Sequence, residues 1–124
     1  MRTTCWGDAK AARRAYPRFV DIVEFLSERI SEDEAAARTL LSDRTVSKSG
    51  EWYEQRLLLE CEAKRRLIGV VEAARQSALA AMVSDSLQES HWAPRSLDWM
   101  ERSLQALALP YFDHPDFEQG WLRP

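Results

Sequence analysis

Apolar residues recur at intervals of three and four along the first half of the chain, beginning just after Pro17. They are Phe19, Ile22, Val23, Leu26, Ile30, Ala37, Leu40 and Leu41. One apolar stripe at this spacing is typical of an amphipathic helix with one side in a core. A proline is well tolerated at the first position of a helix. The pattern therefore predicts a helix over about residues 18–43.

A second stripe follows a polar segment, "SDRTVSKSG" at residues 42–50, whose composition is typical of a turn. The apolar positions of this second stripe are Leu57, Cys61, Ile68, Val71, Ala78, Leu79 and Met82. Short connections place neighbouring helices side by side and antiparallel. We therefore predict an antiparallel hairpin of two long helices, residues 18–43 and 51–83.

A third, shorter helix is predicted after the Ala93-Pro94 step, with Ser96 as its N-cap. Its apolar positions are Leu97, Met100, Leu104, Leu107 and Ala108. Trp99 lies on the opposite side of this helix, which makes it a candidate interface residue. The chain has no alternating β-branched run of the kind that predicts strands. The expected fold class is all-α.

The chain ends in an aromatic segment, which is unusual because disordered ends are poor in aromatic residues. This C-terminal tail, residues 110–124, contains Tyr111, Phe112, Phe117 and Trp121. We expect it to be ordered, with these four side chains turned inward as a clasp on the helices of its own chain or of a partner subunit.

Three charged residues interrupt the apolar stripes. Asp33 lies within the first stripe, and Lys64 and Arg75 lie within the second. Antiparallel pairing brings Asp33 and Lys64 close together. This position predicts a semi-buried ion pair between Asp33 and Lys64 or Arg65. The alternative is that these long side chains reach past the edge of the core into solvent.

Composition limits the domain count and the compartment. At 124 residues with 45% hydrophobic and 30% charged residues, the chain fits one domain over residues 18–124, preceded by a loosely ordered basic arm at residues 1–17. Cys5 and Cys61 form no CxxC pair, a usage that fits a reducing compartment. With neither a membrane-length apolar run nor a signal-like start, we expect a cytoplasmic protein without membrane association.

Three segments resemble a family of small, uncharacterised actinobacterial and actinophage proteins. They are "DIVEFLSERISEDEAAAR" at residues 21–38, "LLLECEAKRRLI" at 57–68 and "LALPYFDHPDFEQGWLRP" at 107–124. Members of that family usually carry a longer section between the first two segments, with a proline–glycine–proline–tryptophan element and a histidine-rich stretch. Only residues 39–56 occupy this place here. The resemblance implies neither an activity nor a cofactor.

Two patterns in the sequence are candidates for a metal site or a catalytic site. His114 lies between Asp113 and Asp116, but a metal site needs three or four converging ligands, and a turn around the proline that follows explains the same residues. Glu51 and Glu54 form an ExxE pair resembling that of the magnesium-dependent all-α nucleotide pyrophosphohydrolases, but the matching ExxD is absent. That enzyme class is the less favoured alternative, and we predict no catalytic, cofactor-binding or metal-binding residue.

Binding functions remain. A basic cluster at Lys10, Arg13, Arg14 and Arg18 would suit phosphate contacts, so a small nucleic-acid-binding regulatory protein is one alternative, although the net charge is −3. The favoured hypothesis is a non-enzymatic helical protein-interaction module that acts as a homo-oligomer. A different protein is a second candidate partner. Five tryptophans offer more aromatic surface than a thin bundle covers.

Overall fold

Three helices and two short 3-10 turns make up the computed structural model, which describes residues 18–84 and 87–122. Helix α1 spans Arg18–Leu41, α2 spans Lys48–Val83 and α3 spans Leu87–Ala108. The 3-10 turns, Leu109–Tyr111 and Gln119–Leu122, lie in the C-terminal segment. No strand occurs among the described residues. The predicted all-α fold and its two long helices are confirmed.

The hairpin between α1 and α2 is built from local polar contacts. The carboxylate of Asp43 accepts hydrogen bonds from the backbone N–H and the hydroxyl of Thr45, at 2.9 and 2.8 Å. The Ser47 hydroxyl accepts from the Gly50 N–H at 3.1 Å and so satisfies one of the free donors at the start of α2. The turn reverses the chain, and α1 then packs along α2.

The main core lies where α1, α2 and the end of α3 meet. Its fully buried side chains include Ile22, Leu26 and Ile30 from α1. Cys61 of α2 and Leu104 of α3 close the same core, and each is 0% exposed. A smaller cluster joins the far ends of α2 and α3 through buried alanines, which are Ala78, Ala81 and Ala93. Helix α2 contributes to both clusters and has the most contacts with the other helices, so it is the central element.

Three positions of the predicted apolar stripes are more exposed than their spacing suggested. Leu40 is 45% exposed, Leu79 is 37% and Met82 is 47%. Leu40 lies in the last turn of α1, beside the hairpin turn. Leu79 and Met82 lie next to Ala78 and Ala81, which take the buried positions against α3. Helical spacing predicts an apolar side, but it does not predict which residues of that side the neighbouring helix covers.

The predicted start of the third helix is wrong. Helix α3 begins at Leu87 and continues through Pro94, so Ser96 lies inside the helix and is not its N-cap. Proline lacks the N–H that would bond the carbonyl four residues earlier, and it usually ends or bends a helix. Here a continuous helix places Ala93 and Leu97 on one side, where both contact the alanine cluster of α2. This packing outweighs the missing hydrogen bond.

Replacement of Pro94 tests the continuity of α3. We expect Pro94→Ala to raise the free energy of unfolding by about 1–3 kcal/mol, because alanine restores the hydrogen bond and removes the steric conflict within the helix. Urea denaturation followed by circular dichroism measures the change. No gain in stability would contradict a helix that passes through this position, since a proline before a helix start costs little.

Candidate functional site

The C-terminal tail lies against the side of α1 that carries Phe25. Phe117 and Trp121 are 7% and 4% exposed, and their ring centroids lie 6.1 and 5.0 Å from that of Phe25. The two tail rings also contact each other edge to face at 5.1 Å. The predicted ordered aromatic tail is therefore present, and it packs against helices α1 and α3 of the same chain.

Tyr111 joins the tail to both helices of the hairpin. Its hydroxyl donates to the Asp33 carboxylate at 2.6 Å and accepts from the Lys64 ammonium at 3.3 Å. Burial raises the pKa of this hydroxyl well above its ordinary value of 10.0, and the hydrogen bond to Asp33 and its negative charge raise the pKa further. The hydroxyl therefore keeps its proton at neutral pH and remains a donor to Asp33.

The predicted direct ion pair between Asp33 and Lys64 or Arg65 is wrong. Tyr111 stands between Asp33 and Lys64, while the Arg65 guanidinium binds Glu34 at 2.6 Å and donates to the Ser31 hydroxyl. The helices do come together in the expected antiparallel manner. The tail, whose position the helical spacing does not predict, supplies a neutral partner for the carboxylate, and Arg65 pairs with the next residue of α1.

Arg29 and His114 form a second polar contact beneath the tail. The guanidinium is 7% exposed, lies 5.4 Å from the centroid of the Phe25 ring, and pairs with Glu28 and Glu32 at 3.3 and 3.1 Å. It also contacts both ring nitrogens of His114. The histidine Nδ1 in turn accepts from the backbone N–H of Asp116 at 3.0 Å. The turn that contains His114 is therefore held by groups of the protein itself.

The surroundings of His114 and of the Glu51–Glu54 pair do not favour a metal site or a magnesium-dependent active site. A guanidinium beside the imidazole of His114 repels a second cation at the same place. Within residues 18–84 and 87–122, no three histidine, cysteine, aspartate or glutamate side chains are arranged to hold a metal ion. Glu51 and Glu54 lie in the first turns of α2, exposed and half-buried respectively. No described contact gives this pair a ligand-binding arrangement.

A comparison with known protein families finds a match that includes the three helices and the tail. A family model described as "Family of unknown function (DUF6221)" matches residues 19–123, which is most of the chain. The chain belongs to this family. No curated protein and no solved structure matches it.

The part of the chain that matches DUF6221 includes α1, α2, α3 and the tail with its polar contacts. The predicted nucleic-acid contacts Lys10, Arg13 and Arg14 precede the match and lie outside the described residues, as does the side chain of Arg18. None of the helices that the structure describes has both the length and the apolar composition needed to cross a membrane.

Two of the predicted interface or clasp residues of this DUF6221 chain face solvent. Trp99 is 62% exposed on α3, as its position opposite the apolar side predicts. Phe112 is also 62% exposed, so the expectation that it turns inward is wrong. The 3-10 turn Leu109–Tyr111 directs Tyr111 towards Asp33 and leaves the next side chain outside.

A further exposed surface runs along the side of α2 that faces away from the other helices. We call it the outer stripe, and it consists of Trp52, Arg56, Leu59, Ala63, Arg66, Val70, Ala73 and Ser77. All eight residues are exposed, and the three largest apolar side chains among them are 52%, 71% and 65% accessible to solvent. Six are apolar or small. A helix in a monomeric protein normally has one apolar side, so a second one on α2 is a candidate contact surface.

The sequence analysis missed both the outer stripe and the tail-binding side of α1. The predicted helices are defined by the richest apolar side of each, and Phe25 and Arg29 lie beside that stripe on α1. A signal for the outer stripe was present, because its residues alternate at intervals of four and three. The burial of Arg29 had no comparable signal, since arginine is seldom buried without a partner.

Removing an aromatic ring of the tail tests how much its docking stabilises the fold. We expect Trp121→Ala to lower the free energy of unfolding by about 3–5 kcal/mol, because the ring is buried against Phe25 and Phe117. Phe112→Ala is the matched control and is expected to cost less than about 0.5 kcal/mol. Equal losses in urea denaturation of the two variants would contradict the docked tail.

The Tyr111 hydroxyl gives a pH-dependent contribution. We expect Tyr111→Phe to lower the free energy of unfolding by about 1–2 kcal/mol at neutral pH, because Asp33 loses its donor. A tyrosine pKa that is higher in the folded state gives stability that is complete below about pH 10 and is lost as the pH rises through the folded value. The difference in the free energy of unfolding between Tyr111→Phe and the natural chain should therefore shrink at alkaline pH.

Urea denaturation at neutral pH and at about pH 10.5 measures this difference. The exposed Tyr53 supplies the control, because Tyr53→Phe should leave stability unchanged at both pH values. A difference for Tyr111→Phe that stays constant with pH would show that the hydroxyl ionises alike in the folded and unfolded chains.

Proposed function

We propose that this protein is a non-enzymatic helical interaction module that acts as a homo-oligomer through the outer stripe of α2. The observation that carries the proposal is the exposure of Trp52, Leu59 and Val70 on one side of a helix whose other side is already in the core. Exposed apolar surface arranged along one line is typical of a protein–protein contact. Association of two copies removes it from water.

The polar residues of the chain support a structural role in preference to catalysis. Asp33, Lys64 and Tyr111 bond one another, and Arg29 is occupied by glutamates and His114. A catalytic group needs access to a substrate and freedom to exchange a proton. The described polar clusters instead join the tail to the hairpin and leave the apolar side of α2 as the accessible surface.

The lengths of the helices fit the same role. Helix α2 has 36 residues, whereas α1 has 24 and α3 has 22. It packs against both shorter helices, which gives a rigid support for a surface on its open side. Trp92 and Trp99 of α3 are exposed as well and offer area for a further protein partner. The buried free thiol of Cys61 is compatible with the reducing environment of the cytoplasm, where we place the protein.

A charge placed on the outer stripe tests this proposal. We expect the natural chain, of 14.3 kDa, to sediment as a dimer or larger species at tens of micromolar. Val70→Glu should give monomers at the same concentration while keeping the helical circular dichroism spectrum, because it puts an unpaired charge into the contact. The control Gln76→Glu adds the same charge at an exposed position outside the stripe and should not change assembly.

Sedimentation velocity of the three proteins over a hundredfold range of concentration measures the result. A natural chain that remains a monomer throughout would refute self-association. Dissociation by the control as strongly as by Val70→Glu would show that general charge, and not the outer stripe, controls assembly.

A further inference from the structure

The outer stripe also contains information about how two copies would pair. We propose that α2 pairs with α2 of a second copy in an antiparallel arrangement, with a twofold axis that passes between Lys64 and Arg65. This inference rests on the proposed self-association and adds its orientation and register. It follows from the order of large, small and charged residues along the stripe.

The residues of the outer stripe alternate at intervals of four and three, as core positions of a coiled coil do. In an antiparallel pair centred between residues 64 and 65, four different pairs of residues face each other across the interface, and each pair forms one layer of it. Trp52 meets Ser77, Leu59 meets Val70, Ala63 meets Arg66, and Arg56 meets Ala73. Each layer joins a larger residue to a smaller one, which is the combination that fills a helix interface without voids or overlap.

A parallel pair would bring each residue against its own copy. Trp52 would meet Trp52, and two layers would place Arg56 against Arg56 and Arg66 against Arg66. Like charges at the centre of an interface are costly, because they repel each other where water no longer screens them. In the antiparallel pair each arginine faces an alanine, and its long side chain can reach along that small residue to the solvent.

Charge complementarity favours the same register. Glu62 lies beside the outer stripe and pairs with Arg66 of the stripe at 2.9 Å within the helix, with 55% and 80% of their side chains exposed. In the antiparallel arrangement Arg66 of one copy is level with Ala63 of the other, so Glu62 of that copy lies one residue along the helix from it, about 1.5 Å away along the axis. Twofold symmetry repeats this contact, so two ion pairs flank the centre of the interface.

The outer stripe is exposed to solvent over its whole length. Residues 52 to 77 cover about 37 Å of helix at 1.5 Å per residue. Helices α1 and α3 occupy other sides of α2, where Cys61, Ile68 and Ala78 are buried. At one end of the outer stripe the Arg56 guanidinium lies 5.4 Å from the centroid of the Trp52 ring, so its charge is held beside the aromatic face.

Disulfide formation between introduced cysteines distinguishes the two orientations. In a Cys5→Ser background, the double variant Leu59→Cys plus Val70→Cys should give a covalent dimer under mild oxidation. The two positions are eleven residues apart on one helix, about 16 Å, so they cannot join within a chain. Native Cys61 is 0% exposed and can remain. The single variant Leu59→Cys should stay uncrosslinked, since only a parallel pair brings that position against itself.

Charge exchange supplies an independent check that needs no new disulfide. Glu62→Arg and Arg66→Glu should each weaken self-association about tenfold, because each faces like charges across the twofold axis. An equimolar mixture of the two variants should restore the dimer, and so should the double variant that carries both changes. Sedimentation velocity measures all four samples, and thermal unfolding shows whether each chain is folded.

The outcomes separate this inference from the proposed function. A natural chain that dimerises while Leu59→Cys alone crosslinks, and the double variant does not, would overturn the antiparallel register and leave self-association intact. Mixed charge variants that remain as weak as each one alone would overturn it equally. A natural chain that is monomeric at every concentration refutes both.

Discussion

The hydroxyl group of Tyr111 connects the three parts of this fold. It donates to Asp33 on α1, accepts from Lys64 on α2, and belongs to the segment that follows α3. A carboxylate and an ammonium at the edge of a core are costly to bury unless each has a partner of good geometry. A neutral hydroxyl that both donates and accepts satisfies the two at once. The position of the tail is therefore tied to the register of the hairpin.

Aromatic packing holds the rest of the tail in place. Phe25 has contacts with Tyr111, His114, Phe117 and Trp121, so one ring of α1 is the common neighbour of four rings of the tail. Ordering a segment with little regular secondary structure is opposed by backbone entropy, which a single buried side chain does not overcome. Several large rings gathered around one partner do so, because each removes a large apolar area from water. The tail thereby forms part of the core.

The same interactions explain where a function can lie. The tail covers Phe25 and Arg29 on α1. Asp33, Lys64 and Tyr111 bond one another, and Arg29 bonds His114 and two glutamates, although its Nε is buried without a hydrogen-bond partner. Helix α2 differs because two other helices and the tail still leave one of its sides uncovered. In this chain the described polar clusters join the tail to the hairpin, and the outer stripe of α2 stays exposed, which is the surface that the proposed self-association uses.

The sequence pattern predicted the features that depend on contacts between residues close together in the chain, and it missed features that depend on contacts between distant segments. The spacing of Ile22, Leu26 and Ile30, and of Cys61 and Ile68, was enough to predict both long helices and their antiparallel packing. Contacts between residues three and four apart decide that a helix forms and which side is apolar, and these contacts are present in the sequence itself. The abundance of aromatic residues likewise predicted an ordered tail.

The amino-acid sequence by itself thus determined the all-α class, α1, α2 and the existence of a packed C-terminal segment. The tertiary structure decided that α3 passes through Pro94, that Asp33 bonds Tyr111 in place of Lys64, that Arg29 is buried and that Phe112 is not. Each of these depends on an element distant in the chain, such as the alanines of α2 beneath α3 or the tail across α1. Their energies come from close packing and from partners for buried charges, and neither exists until the distant segments meet.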